Sequence, residues 1–457
     1  MARRERTQSR IGQAVTVTRR SLLAAALATS ARPARAASIS VTATGAIGDG
    51  QTLNTAAIQA AIDRCAESGG GTVVFPPGRY ITGTLLLRSK IALHLEDGAA
   101  LLGSTNLADY RLVDPFVDGT GAQMGYALLA GVDVADVAIE GPGSIDGRGK
   151  ETLAARGSNE KSKRPFLLRF VRASGVRLTN IHLLQSAAWM AHFFQCHGVT
   201  AEGVHILNRA GSNNDGFDID SCEDVRIRNC EIDSGDDAIC LKTTSALPCR
   251  AISVSGCALK TNCAAIKIGT ESMGNFERIE IADCHILEAR LAGIKLLSVD
   301  GAHIDGVSIR NITMDAGHVA VFLRLGARLK TFREGDRALP VGTLRNVAIR
   351  GLRGALESPG ILISGVPGHP VEDVTFEDID LRLPGGGTSE DAKAELPEAP
   401  AAYPEIRMFG ASIPAYGAYV RHARRVIGRS CKFALASPDA RPAVVRVDAE
   451  DVSFQPA

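Results

Sequence analysis

The chain has 457 residues, with 51 Lys plus Arg against 50 Asp plus Glu and a formal net charge of +1. That balance, with 5% aromatic residues and no clusters of basic and aromatic side chains, excludes a protein that works by electrostatic attraction to nucleic acid. No stretch after residue 40 is apolar and uncharged over the roughly 20 residues a membrane span needs, so the body of the chain is expected to stay off the membrane.

Residues 1–36 read as an export signal and are set apart from the fold. Thr18-Arg19-Arg20-Ser21-Leu22-Leu23 opens an Ala/Leu run to Ala28, and Ala34-Arg35-Ala36 supplies a small-x-small cleavage site. The paired arginines resemble a twin-arginine signal, which implies a periplasmic or secreted protein that folds before export. Residues 37–457 read as one domain. Within it, Ala57, Ile58, Ala61, Ile62 and Cys65 recur at helical spacing over 55–67 and run into Gly69-Gly70-Gly71. This pattern predicts an amphipathic helix that caps the open end of a solenoid. Residues 72–75 and 85–95 read as the first strands.

The centre of the chain is repetitive. Five segments share the order small, apolar, variable, aliphatic: Gly216-Phe217-Asp218-Ile219, Ala238-Ile239-Cys240-Leu241, Ala265-Ile266-Lys267-Ile268, Gly293-Ile294-Lys295-Leu296 and Ala320-Val321-Phe322-Leu323. Their second positions lie 22, 27, 28 and 27 residues apart. A second set of strands, from Val176-Arg177-Leu178 to Val374-Thr375-Phe376, keeps the same register. Alternation along a strand puts the aliphatic positions on one face and the variable ones on the other. A repeat of this size cannot bury a face alone, so neighbours must stack. The fold class is therefore all-β: a single-stranded right-handed parallel β-helix with an N-terminal capping helix. The outward column reads Asp218, Cys240, Lys267, Lys295 and Phe322. The column of Gly and Ala before it is expected to floor a groove for a long ligand.

Cys230, Cys257 and Cys284 fall in register with Ile181, Val204 and Ile312, which makes them small apolar members of an internal ladder. Cys249, Cys263 and Cys431 are left open to bridging. Residues 383–402, rich in Gly, Pro, Glu and Ala, read as a surface loop, with 403–421 and 443–454 finishing the coil. Three acids stand out: Asp215 and the Asp236-Asp237 pair lie about one repeat apart. A lone Asp in a bend is as readily explained by capping. Three at matched positions beside a groove point to chemistry.

Several motifs carry a family resemblance over residues 38 to 330. They are Gly45-Ala46-Ile47-Gly48-Asp49-Gly50, Gly71-Thr72-Val73-Val74-Phe75-Pro76-Pro77-Gly78, Asn213-Asn214-Asp215-Gly216 and Ser234-Gly235-Asp236-Asp237-Ala238-Ile239. The chain resembles the polygalacturonases of glycoside hydrolase family 28, in a divergent bacterial subgroup. The opening motifs are shared by several pectin-degrading families; the spaced aspartates are far more specific. The resemblance implies a hydrolase that cuts galacturonate-containing pectic poly- or oligosaccharides, with Asp236 as the acid and Asp215 and Asp237 positioning and activating water. Inverting hydrolysis requires such a set, a protonated acid at the leaving oxygen and a carboxylate about 6.5–9.5 Å away across a water. No cofactor and no metal are expected, and a monomer is expected.

The departures from the family pattern are specific. Cys263-Ala264-Ala265 replaces the family's Gly-His-Gly, and Gly293-Ile294-Lys295 keeps only the lysine of its Arg-Ile-Lys. Both changes point away from ordinary endo action and toward exo attack. A uronate carboxylate suits an ammonium or a guanidinium fork, so Lys267, Lys295 and Arg324 are expected to bind substrate. Asn213, Glu271 and Trp189 are added to that set, the tryptophan as a platform for a sugar face. Two other readings remain. A lyase on this scaffold would use a Lys or Arg base and Ca²⁺ held by Asp215, Asp236 and Asp237. A noncatalytic carbohydrate-binding β-helix would bind equally well without Asp236.

Overall fold

The computed structural model describes residues 37–157, 163–357 and 359–456. The expected export signal lies outside the described residues. From Ala37 onward the strands stack in parallel, each on its counterpart one coil later, in the arrangement of a right-handed parallel β-helix. One face runs from Phe166–Val171 through Ala191–Phe194, Phe217–Asp220, Ile239–Thr243 and Ala264–Ser272 to His285–Ser298 and Gly317–Leu325. A second runs from Ile91–Leu95 through Ser174–Thr179, His197–Glu202 and Glu223–Arg228 to Val371–Leu383.

The coil is held from inside by ladders of like residues. Ile219, Leu241, Ile268, Leu296, Leu323, Ile363 and Val420 stand one above another in register, and all are buried. Each such side chain contributes roughly 1.5–3 kcal/mol by leaving water. Cys230, Cys257 and Cys284 continue the column of Ile181 and Val204 toward Ile312, as the spacing predicts. Cys196, Cys222 and Cys249 form a second buried column. All ten cysteines are free, including the three left open to bridging.

The corners are set by a backbone requirement. Asn180, Gly203, Asn229, Gly256, Asp283, Asn311, Gly351, Asp378 and Ser430 occupy one position in successive coils, each with φ between 50° and 68°. That left-handed conformation favours Gly, Asn and Asp. Where Gly follows Asn in this column there is also no room for a side chain: a Cβ on Gly203 would lie 2.2 Å from the Asn180 side-chain oxygen.

The helix Thr55–Glu67 forms where predicted and buries Ile58, Ala61, Ile62 and Cys65 against the first coil. Three excursions leave the coil and return over the outward side of the first face: 111–126, where Arg111–Val117 runs antiparallel to the start of the strand Gln123–Val132 before that strand joins the coil at Ala127, the segment 326–342, and the segment 384–417. The last is longer than the expected loop 383–402, because 403–417 stays out of the coil until the strand Ala418–Leu435 begins. The column of small residues is also placed differently from expectation. Ala238, Ala265 and Ala320 belong to the inner core, and a Cβ on Gly216 would meet Ile232 at 2.8 Å. The bend at the start of each strand turns this position inward, so it does not floor a groove.

Candidate active site

The ladder between adjacent coils brings the three aspartates together. Phe217 pairs with Ile239, and one step earlier the Gly216 N–H donates to the Asp237 carbonyl at 2.9 Å. Asp215 thus stands beside Asp237 one coil on, with Asp236 next to it at the edge of the strand. Two buried asparagines fix the bend. Asn208 donates to the Asp215 carbonyl at 2.8 Å, and Asn214 donates to the Ser186 carbonyl at 2.8 Å and to Asn208 at 2.9 Å. The Asn214 carbonyl accepts the Asp236 N–H at 3.2 Å, which ties one acidic bend to the other. One oxygen of Asp237 lies within 4.8 Å of an Asp215 oxygen, and one within 4.8 Å of an Asp236 oxygen, closer than the roughly 6.5–9.5 Å expected from the sequence for an inverting pair; the water is instead to be held where Asp215 and Asp237 meet.

Burial and partners push these acids apart in proton affinity. For Asp236, burial first and the Asp237 charge second raise the pKa. Burial acts the same way on Asp237, but Lys267, Lys242 and Lys295 outweigh it and hold the carboxyl at about 2. Lys267 Nζ donates to Asp237 Oδ2 at 2.6 Å, and the Ala264 N–H donates to Oδ1 at 3.2 Å. Asp215 is raised well above the usual carboxylate range by burial, Asp218 and Asp236. One acid is therefore held ionised while two favour the proton, the division that acid–base work by neighbouring carboxyls needs. Asp215 and Asp218 share a single ammonium: Lys242 Nζ lies 3.7 Å from Asp215 and 3.3 Å from Asp218.

The residues expected to bind substrate fare less uniformly. The outward column keeps its predicted register, Asp218–Cys240–Lys267–Lys295–Phe322, but it is covered. Lys267 is taken by Asp237. Lys295 is fully buried and donates to both oxygens of Glu405 at 2.7 and 2.8 Å, so it anchors segment 384–417 and does not face a ligand. Arg324 is likewise enclosed, donating to Ser364 Oγ at 2.7 Å and to the Glu398 carbonyl at 2.9 Å. Trp189 is buried in an apolar cluster with Phe166 and Phe116, stacked on Phe166 at 5.3 Å with Lys242 Nζ 4.5 Å over its ring; it offers no sugar platform. Glu271 is buried, accepts the Gly119 N–H at 2.7 Å and lies 3.4 Å from Lys242. Asn213 alone of the set is half-exposed; it accepts a bond from Arg164 at 3.0 Å.

The opening is therefore at the strand edge. Asp236, Asn213 and Asn262 are half-exposed there, and Gly211 and Ser212 are exposed. Beyond it the sheet is roofed: Arg333 pairs with Asp114 at 3.0 Å, Arg328 with Asp300 at 2.5 Å, and the Tyr403 hydroxyl meets Thr270 at 3.3 Å. Sequence reasoning gave no role to Lys242, Asp218, Arg164 or Tyr403, although Asp218 stood in its outward column. Alternation signals the first two, since both fall on outward positions of adjacent strands. Among the described residues two groups have a geometry for a cation, Asp215–Asp237–Cys240 and Asp236–Asp237–Cys263. Burial raises both thiols well above their usual range and Lys267 already occupies Asp237, so the donors suit protons and ammonium groups better than a hard cation, which prefers oxygen throughout.

Known proteins share this arrangement of coils. The family model for glycosyl hydrolases family 28 matches residues 105–400, and a model described as rhamnogalacturonase A/epimerase, pectate lyase-like, matches 38–108. A probable polygalacturonase of Vitis vinifera is 27% identical, covering 78% of this chain and 77% of the relative. An exo-poly-alpha-D-galacturonosidase of Dickeya chrysanthemi is 28% identical over 44% of this chain and 41% of its own length. The solved family 28 exopolygalacturonase of Yersinia enterocolitica shares the fold, with a TM-score of 0.71 at 19% identity over 93% of this chain and 79% of that one.

Proposed function

The chain belongs to glycosyl hydrolases family 28, and from that premise we propose that it cleaves galacturonate-containing pectic oligosaccharides by an exo-acting, inverting mechanism. The observation that carries the mechanism is the half-exposed Asp236 lying over the ionised Asp237 and the proton-rich Asp215. Asp236 gives its proton to the glycosidic oxygen as the bond to the anomeric carbon breaks. A water held between Asp215 and Asp237 attacks that carbon from the opposite face, and Asp237 takes up its proton. Lys267 keeps Asp237 ionised until that moment. The three acids come from one chain, so a single copy completes the site.

Exo action is supported by the roof. With the sheet covered by 111–126, 326–342 and 384–417, the accessible stretch around Asp236 is short. A location outside the cytoplasm suits a polymeric substrate and is supported by the Arg19-Arg20 signal. Ten buried free thiols also suit a chain that folds in a reducing compartment before export. The lyase reading is disfavoured by the lysines. A base must give up its proton near working pH, whereas burial of Lys242 and Lys267 is outweighed by the neighbouring carboxyl groups, Glu271, Asp218 and Asp215 for Lys242 and Asp237 for Lys267, which raise both well above the usual ammonium range.

Asp236→Asn tests the assignment. The variant should fold normally and lose at least about a hundredfold in the release of reducing ends from oligogalacturonides. The wild-type products should carry no 4,5-unsaturated chromophore. Full activity in the variant, or ultraviolet absorbance in the products, removes the hydrolase mechanism.

A further inference from the structure

The strand-edge position occupied by Asp236 continues along the coil. Register places Cys263 beside Asp236, Leu291 beside Cys263 and His318 beside Leu291, with the Leu291 N–H donating to the Cys263 carbonyl at 3.0 Å. At about 4.8 Å per coil, Leu291 and His318 stand roughly 10 and 14 Å beyond the proposed acid. There they form one wall of a cavity of about 330 Å³. The rest of the lining comes from the covering segment, at 385–387 and at Ile406 and Arg407 of the turn Ile406–Phe409, together with Arg441.

Nearly every charged group in the walls has a partner. Glu405 is clamped by Lys295, and Phe409 packs edge-on against Phe322 with ring centroids 6.1 Å apart. Arg441 pairs with Asp439 at 2.7 Å. Gly387 leaves room for that pair, since a Cβ there would meet Arg441 Nε at 2.1 Å. Asp391 accepts Ser412 Oγ at 2.5 Å and Thr388 Oγ1 at 2.8 Å. Arg407 differs: it is exposed, lines the cavity, and its guanidinium pairs with no carboxylate among the described residues. It also lies beyond residue 400, outside the stretch that the family model matches.

We propose that this cavity is a distal subsite for a second carboxylated sugar of the pectic chain held at Asp236, and that Arg407 reads its carboxylate. A guanidinium fork suits a carboxylate in a bidentate pair, while Asp391 and Ser412 offer partners for sugar hydroxyls. The subsite therefore selects for chains whose sugar two or three coils from the cut is an unesterified uronate. It rests on the hydrolase reading above and refines it.

The test compares wild type with Arg407→Gln on galacturonate oligomers of increasing length and on their methyl esters. The variant should raise KM about tenfold for oligomers long enough to reach the cavity. It should leave kcat, the dimer and the methyl-esterified oligomers unchanged. Equal KM values for both proteins at every length overturn the proposal. Calorimetric titration of a pentagalacturonate into Asp236→Asn and into Asp236→Asn/Arg407→Gln separates the two readings. Affinity that depends on Arg407 supports the subsite even if the wild type proves to have no hydrolase activity, and affinity indifferent to Arg407, or no binding, overturns it.

Discussion

The strands Phe217–Asp220, Ile239–Thr243, Ala264–Ser272 and His285–Ser298 carry two ladders back to back. Inward stand Ile219, Leu241, Ile268 and Leu296; outward stand Asp218, Cys240, Lys267 and Lys295. Both are equally removed from water, yet they are held by different physics. The inner ladder gains from every buried methylene and tolerates like-for-like exchange. The outer one carries charges on either side of the Cys240 thiol, and a charge left alone there is strongly unfavourable. Function depends on the second ladder because its charges, Lys267 above all, set the acids in the bends beside it at unequal proton affinity.

Breaking the outer ladder should have the largest effect. Lys267→Met leaves Asp237 buried and unpaired, and chemical denaturation should show a loss of about 3–5 kcal/mol, together with loss of hydrolysis. Adding Asp237→Leu should restore most of the stability and none of the activity. Recovery of activity in that double variant contradicts the role given to Asp237. One residue away, on the inner ladder, Ile268→Ala should lose about 2–4 kcal/mol through the cavity it leaves. Such a variant should retain kcat per folded molecule, which separates the two ladders in one pair of measurements.

Smaller, but specific to the outer ladder, is a pH effect at Asp218. Burial, opposed by Lys242, leaves its carboxyl raised to about 7. Between the unfolded value near 4 and that value the folded protein holds the extra proton, so stability falls as pH rises through this window. Thermal melts from about pH 4 to pH 7 should show the fall in wild type and a flatter profile in Asp218→Asn. A variant that keeps the wild-type slope removes Asp218 as its source. Asp237 acts in the opposite sense: held at about 2, it contributes stability above pH 4 that disappears as pH drops toward 2.

The inner ladder is legible in the sequence because period-two alternation and a repeat near 27 residues mark it directly. The cysteine column and the alignment of Asp215 with Asp237 rest on the same two signals, and the helix Thr55–Glu67 on the helical spacing of its apolar residues. The cover over the outer face carries no such period. Lys295 meets Glu405 across 110 residues, and Arg328 meets Asp300 from an excursion without strand pattern, so alternation alone places these lysines outward with nothing to show that they are covered. One clue lies in the column itself. Phe322 stands on an outward position, where an aromatic side chain indicates a covered face, and it packs against Phe409 of the covering segment. Trp189 is a parallel case, set before an outward strand and enclosed by Phe166 and Phe116.

The most direct test of the stacked-acid mechanism is the anomeric configuration of the first product, followed by proton NMR during hydrolysis of a trigalacturonate. Single displacement by water between Asp215 and Asp237, with Asp236 as the acid, predicts that the new reducing end from an α-linkage appears first as the β-anomer and mutarotates afterwards. Initial appearance of the α-anomer would mean a double displacement through a covalent intermediate and would contradict the account.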